Sequence, residues 1–303
     1  ILENSGNETK IINISVIEKP TGELSAGAGV GTSGTTTTFG IKENNYLGNG
    51  ISLNANLEVS EETIKGRLSM RNPNFNNSDK AIHTNFQSFE TDRLSDFGYK
   101  TNKTGFTVGT DFEYYDDLTL GLGINSYYED IETDSTASSQ QQKLKGNYFD
   151  NFISLSLDYD KRNQKFQTSQ GFRNYFSTDL PVISETNTFA NTFITTNYYE
   201  YFNNNILKSS FYFRNANSIS GKNIKLSERL TLPSNRLRGF ERGKVGPKDG
   251  NDFIGGNYMA SLNFSSDVPK ILENSQSTDL KIFLDIANVW GVDYDSSLET
   301  SDD

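Results

Sequence analysis

The chain of 303 residues contains no cysteine. That excludes a disulfide framework and any thiolate metal site. It has one histidine, His83, too few for a histidine-cluster metal centre, and a poor basis for a catalytic triad. Basic residues are outnumbered: the formal net charge is −11 and the isoelectric point is near 4.7. A nucleic-acid binder needs the opposite balance. No run of eighteen apolar residues occurs, which excludes a membrane-spanning helix. No basic-then-apolar leader precedes the first strands, and the chain begins at Ile1. The expectation is a piece of a longer protein, or one whose signal has been removed.

What is present is phenylalanine, tyrosine and a period of two. Ile51, Leu53, Ala55 and Leu57 alternate with Ser52, Asn54, Asn56 and Glu58. Leu118, Leu120, Leu122 and Ile124 alternate with Thr119, Gly121, Gly123 and Asn125. Segments beginning near Phe106, Ile153, Leu207, Tyr258 and Ile282 repeat the pattern, each ended by turn residues. About thirteen such strands follow Thr21, with no segment of helical period between them. One face of nearly every strand carries Asn, Ser, Asp, Lys, Arg or Gly, and the other is apolar. The predicted class is all-β: a transmembrane antiparallel barrel of the outer-membrane type, with lipid outside and a wet lumen. A soluble sandwich or propeller is the competing architecture.

The connections are expected to differ by side. Those after even strands carry aromatics: Tyr46 to Gly48, Pro73 to Phe75, Tyr114 to Asp116 and Tyr199 to Asn204. Those over 90–103, 129–146 and 221–253 are polar and read as long loops on the opposite side.

Three motifs are set aside. Gly29 to Gly34 matches a dinucleotide fingerprint, but Thr35 to Phe39, rich in β-branched residues and strand-like, follow where a helix is required. Asp293, Asp295 and Ser297 resemble the start of a calcium loop, but Leu298 stands where glycine is needed, so an acidic solvated loop is expected. Asp158 and Asp160 share the lumen face of one strand and read as a charged wall. No metal site, no cofactor and no enzymatic activity are expected.

The stretch from Pro233 to Gly256 is too rich in Gly, Asn and charge for a strand or a helix. A structureless connection of that length is functional or disordered. Its centre, Leu237-Arg238-Gly239-Phe240, is similar to the Val-Arg-Gly-Phe signature of the BamA family of outer-membrane assembly factors, in the surface antigen and POTRA-barrel superfamily. Other stretches resemble the family in order. Ile11 to Ile17 reads as a short strand, and Ile14 to Gly22 looks like the last strand of a final POTRA domain and its junction with the barrel. Asn44 to Gly50 and Arg71 to Phe75 resemble two early turns. Asp160 to Gly171 resembles a D-R-x-x-x-F-x-T-x-G segment, with Gln167 where proline is usual. Gly246-Pro247 and Gly255-Gly256-Asn257 follow as in the family, and Phe283 to Trp290 matches the strand whose aspartate faces the loop arginine.

The resemblance implies that residues 1–21 end a POTRA domain and its linker. Residues 22–303 would form a barrel lacking its final strands, about thirteen of sixteen. It implies that Arg238 enters the lumen and meets Asp285, with Asn263 where the family often has glutamate. It implies insertion of client barrels into the outer membrane of a Gram-negative bacterium. The seam would be the thin first strand, Gly22, Leu24, Ala26, Gly27, Ala28, Gly29, Val30 and Gly31. The partners would be unfolded outer-membrane protein clients, accessory assembly lipoproteins and outer-membrane lipids, with no nucleic acid. A protein-translocation pore of the same superfamily and a passive porin are the alternatives.

Overall fold

The structure, a computed structural model, describes residues 2–4, 10–12, 15–17, 19–31, 34–94, 98–135, 137–201, 205–249, 252–268 and 280–293. A small ladder pairs β1 (Leu2–Asn4) with β2 (Lys10–Ile12). The main sheet begins with β3 (Gly22–Gly31), β4 (Gly34–Tyr46), β5 (Ile51–Ser60) and β6 (Thr63–Asn72). It continues with β7 (Ala81–Arg93), β8 (Tyr99–Tyr115), β9 (Leu118–Thr133) and β10 (Gly146–Asp160). Then come β11 (Gly171–Ile183), β12 (Thr188–Tyr201) and β13 (Asn205–Ser218). A short hairpin, β14 (Lys248–Asp249) and β15 (Asp252–Phe253), interrupts the order before β16 (Tyr258–Asp267) and β17 (Lys281–Trp290).

Thirteen of these strands form one antiparallel meander, each beside its neighbour in sequence from β3 to β17. Among the described residues β3 pairs only with β4 and β17 only with β16, so the sheet does not close. The period of two explains the pairing. Apolar residues meet across strands on the outer face, as Phe86 with Phe106, Ile153 with Ile124, and Phe211 with Leu262. Such same-face pairs stabilise a sheet by tenths of a kcal/mol to about 1 kcal/mol each. Leu24, Ile41, Leu68, Ile124 and Leu284 on that face are all exposed, as a lipid-facing belt requires.

The strands differ from expectation at one end. Residues 90–103 are not a long loop, because β7 and β8 continue through them and the connection is only 94–98. Glu90 faces Asn102 and Thr91 faces Thr101, and Lys100 holds Glu90 at 2.8 Å. Here polar side chains satisfy one another across the ladder, so a polar composition does not mark a loop. The asymmetry of the two ends is also weaker than expected. Only 134–145 and 219–257 are long at that end, while 161–170 and 268–280 are long at the other. The strand expected over Ile11–Ile17 is shorter and shifted: Lys10–Ile12 is extended because Leu2–Asn4 offers a three-residue partner, and 15–17 is irregular. Asn13 and Ile14 lie outside the described residues. Where the nucleotide fingerprint would need a helix, β4 runs as a strand.

The lumen is not uniformly wet. The connection 219–257 folds back over the inner face and brings its own apolar residues. Leu226 and Ile254 pack with the wall residues Tyr99, Ile131 and Tyr148. Ile224, Leu230 and Leu232 pack with Ala216, Met259 and Val289. These wall residues sit at the strand ends nearest the long connections, and the apolar inner face there is covered by the loop.

Candidate lumen-loop clasp

Half-way along β17, Asp285 lies directly opposite Asn263 of β16. Leu284 and Ile286 on either side are exposed on the outer face, so alternation turns Asp285 inward. The loop brings Arg238 to it. The Arg238 guanidinium donates to both carboxylate oxygens, Nε to Oδ2 at 2.7 Å and Nη2 to Oδ1 at 2.7 Å. The Arg238 backbone N–H donates to Oδ2 at 3.1 Å. This is the two-pronged geometry that a planar guanidinium offers a carboxylate. The guanidinium carbon also lies 3.7 Å from the centre of the Phe283 ring, two residues before Asp285 on the same inner face.

Asn263 completes the site. Its Nδ2 donates to Asp285 Oδ1 at 2.8 Å and to the Arg236 carbonyl at 2.7 Å. Its Oδ1 accepts from Ser261 Oγ at 3.1 Å, so all three contacts fix the amide orientation. Asp285 therefore accepts four hydrogen bonds, two on each oxygen. Its side chain is 3% exposed while that of Arg238 is 37% exposed, so the clasp is dry on the wall side and wet on the loop side.

The neighbours of Arg238 behave differently. Leu237 is half-buried against the Leu230 and Val289 cluster. Gly239 has φ +88° with nothing near the position of an added Cβ, so the backbone turn and not crowding calls for glycine. Phe240 is exposed. Arg236 donates to Ser210 Oγ at 3.1 Å and lies over the Tyr212 ring at 4.5 Å. Burial holds its guanidinium below the ordinary arginine value.

The other acidic candidates are engaged elsewhere. Asp158 is held by Arg173 at 2.8 and 2.6 Å, and Asp160 by Arg162 at 2.7 and 2.6 Å, so neither is a partner of Arg238. Asp293 is no solvated loop residue: it accepts from the Ile224 N–H at 2.6 Å and from Arg229. Asp295 and Ser297 lie outside the described residues. Of the first-strand residues, Leu24 and Val30 are strongly exposed, and Gly22 to Gly31 pair in register with Glu43 to Gly34.

A second contact of the loop was not read from the sequence. Lys225, in the connection 219–257, is fully buried against Glu129 of β9 and Asp150 of β10. Glu129 lies in the stretch read as a loop over 129–146, but β9 runs on to Thr133 and β10 starts at Gly146, and this turns Glu129 and Asp150 inward. The cation that reaches them lies in a stretch with no period.

Residues 45–303 match the Omp85 superfamily domain. The chain is 24% identical over 291 residues to the outer membrane protein assembly factor BamA of Neorickettsia risticii (strain Illinois), covering 93% of this chain and 39% of that protein. Its fold is similar to the crystal structure of BamA from Haemophilus ducreyi lacking POTRA domains 1–3. The TM-score is 0.81 and the identity 19%, over 96% of this chain and 62% of that one. CdiB from Acinetobacter baumannii is similar more loosely, with a TM-score of 0.53 at 12% identity over 87% of this chain and 48% of that one. The chain thus spans less than two thirds of the length of each of these relatives. With the family matched over most of its length, a thirteen-strand meander and an apolar outer belt, the chain belongs to the Omp85 superfamily of Gram-negative outer-membrane barrels.

Proposed function

We propose that this chain is the barrel portion of an outer-membrane protein assembly factor, and that it inserts client barrels by offering β3 as a template strand. The observation that carries this reading is the BamA-like fold over 96% of the chain, with the loop of Arg238 held on the inner wall. The composition of β3 supports the mechanism. Gly22, Gly27, Gly29 and Gly31 leave little side-chain packing along a ten-residue strand. A strand so thin separates readily from a neighbour, and its N–H and C=O groups can then pair with an incoming strand. The action is physical: hydrogen bonds are exchanged between strands and no covalent bond is made or broken. The partners are unfolded outer-membrane proteins, with accessory lipoproteins at the periplasmic side.

The looser likeness to CdiB keeps a translocation pore of the same superfamily as the second reading. Gly29→Cys in the full-length protein separates the two. An added Cβ at Gly29 meets nothing within 4 Å, so the substitution introduces no clash. An assembly factor forms a mixed disulfide between the thiol introduced in β3 and a cysteine placed in the terminal strand of a client barrel. A translocation pore gives no such adduct, and client insertion proceeding without any adduct refutes the template role of β3.

A further inference from the structure

The loop 219–257 touches the wall at two places, and the second differs in kind from the Arg238 clasp. Lys225 is 0% exposed. Its Nζ faces three carboxylates: Glu129 Oε2 at 3.1 Å, Asp150 Oδ2, and Glu228 Oε1 at 3.4 Å. The ammonium donates hydrogen bonds to Glu129 and Asp150, and Glu228 adds a longer ion-pair contact. The Tyr148 ring covers the group at 5.1 Å and is itself tied by its hydroxyl to the Leu144 carbonyl at 2.8 Å. Glu228 is also fixed, because its Oε2 accepts from Thr188 Oγ1 at 2.7 Å, Thr186 Oγ1 at 3.3 Å and the Lys225 N–H at 3.2 Å. The far oxygens Glu129 Oε1 and Asp150 Oδ1 are buried with no hydrogen-bond partner, so Lys225 is the main compensation for both charges. Lys103 stands further off, 4.0 Å from Glu129.

The position matters as much as the chemistry. Glu129 and Asp150 belong to β9 and β10, whereas Asp285 and Asn263 belong to β17 and β16. Three strands, β11 to β13, separate β10 from β16 in the sheet, an arc of roughly 20 Å at strand spacing. One loop thus ties together two distant parts of the wall, through a dry contact at one point and a half-wet contact at the other. Burial of the Lys225 ammonium works against its charge, but Glu228, Glu129 and Asp150 outweigh it and hold it above the ordinary lysine value.

We infer that Lys225 is a positioning residue for client insertion: it is the fixed anchor of the lumen loop, about which the tip bearing Arg238 can detach and return. The inference rests on the assembly reading for its functional half only. Removing a partner from a buried ion cluster is far more damaging than removing one from an exposed pair, so release begins at the tip and the anchor stays.

The test uses the full-length protein in outer membranes, with Ser227→Cys as reporter. The Ser227 hydroxyl is buried two residues from Lys225, and these 303 residues contain no native cysteine. The rate of modification by a membrane-impermeant maleimide is measured with and without Lys225→Met. The inference expects a rise of at least tenfold in Lys225→Met and little change in Arg238→Ala. If Lys225→Met does not assemble, Asp150→Asn, which keeps the side-chain volume, replaces it with a rise of at least threefold expected. An unchanged rate in a folded variant overturns the anchor. Client insertion is read in parallel, with and without a disulfide that locks the loop tip to the wall. Restored insertion in the locked Lys225→Met protein supports positioning, and a locked protein that stays inactive overturns it. Fast labelling with normal insertion leaves the anchor standing and sinks the assembly role of the loop.

Discussion

Asp285→Asn tests the clasp with a change of a single functional group. The carboxylate accepts Arg238 N and Nε on Oδ2, and Arg238 Nη2 and Asn263 Nδ2 on Oδ1. An amide keeps one acceptor oxygen and replaces the other with a donor. Two of the four donors then face an N–H₂ group. Asn263 cannot compensate by flipping, because its Nδ2 also serves the Arg236 carbonyl and its Oδ1 accepts from Ser261. A hydrogen bond to a charged group contributes about 1.5–3 kcal/mol when buried. Arg238 is more than a third exposed, so water recovers part of that loss. The balance is about 2 kcal/mol, or roughly 30-fold in the opening equilibrium. The assay is amide hydrogen exchange of the full-length protein in detergent or nanodiscs. The Arg238 N–H, which donates to Asp285, reports the opening directly. The expected result is a roughly 30-fold loss of protection confined to the loop tip, with the strands around it unchanged. A change below about twofold would refute the clasp as the constraint on the tip. A loss of roughly a hundredfold to several thousandfold, on the order of 3–5 kcal/mol, would show that the pair behaves as dry and that water does not reach the guanidinium.

Two further variants separate conformation from contact. Gly239→Ala places a Cβ in open space at φ +88°, so its whole effect is conformational: about 1–2 kcal/mol of loosened tip by hydrogen exchange, with Gly239→Asn losing less because asparagine tolerates left-handed backbone. Equal losses in the two variants would show that backbone handedness is not the reason for glycine there. Gly105→Ala is the opposite case: its Cβ would stand 2.3 Å from the Ser126 carbonyl oxygen on β9, so about 1–3 kcal/mol of strain enters the β8–β9 ladder. The barrel should unfold at a lower temperature in a heat-modifiability gel, and an unchanged midpoint would refute the close approach of the two strands.

The sequence determined the strands and their faces. A period of two needs only the local pleat, so Leu122, Ile124, Ile153 and Leu155 point outward, and Asp158, Asp160 and Asp285 inward, in any register that keeps the apolar face together. The same parity, with the family resemblance, pairs Arg238 with Asp285. Strand ends were less legible. Residues 90–103 read as a loop because their hydrogen-bonding partners are polar residues on the neighbouring strand, and a cross-strand partner leaves no mark in local composition. The tertiary structure alone decided what fills the lumen. Leu226 and Ile254 have no periodic neighbours, yet they cover Tyr99, Ile131 and Tyr148, inward-facing residues that would otherwise stand in water. It alone brought Lys225 to Glu129 and Asp150, on strands far earlier in the chain. The physical reason is common to both. A ladder is specified by its own residues, whereas the path of a long connection is fixed only by the buried groups it must satisfy when it arrives.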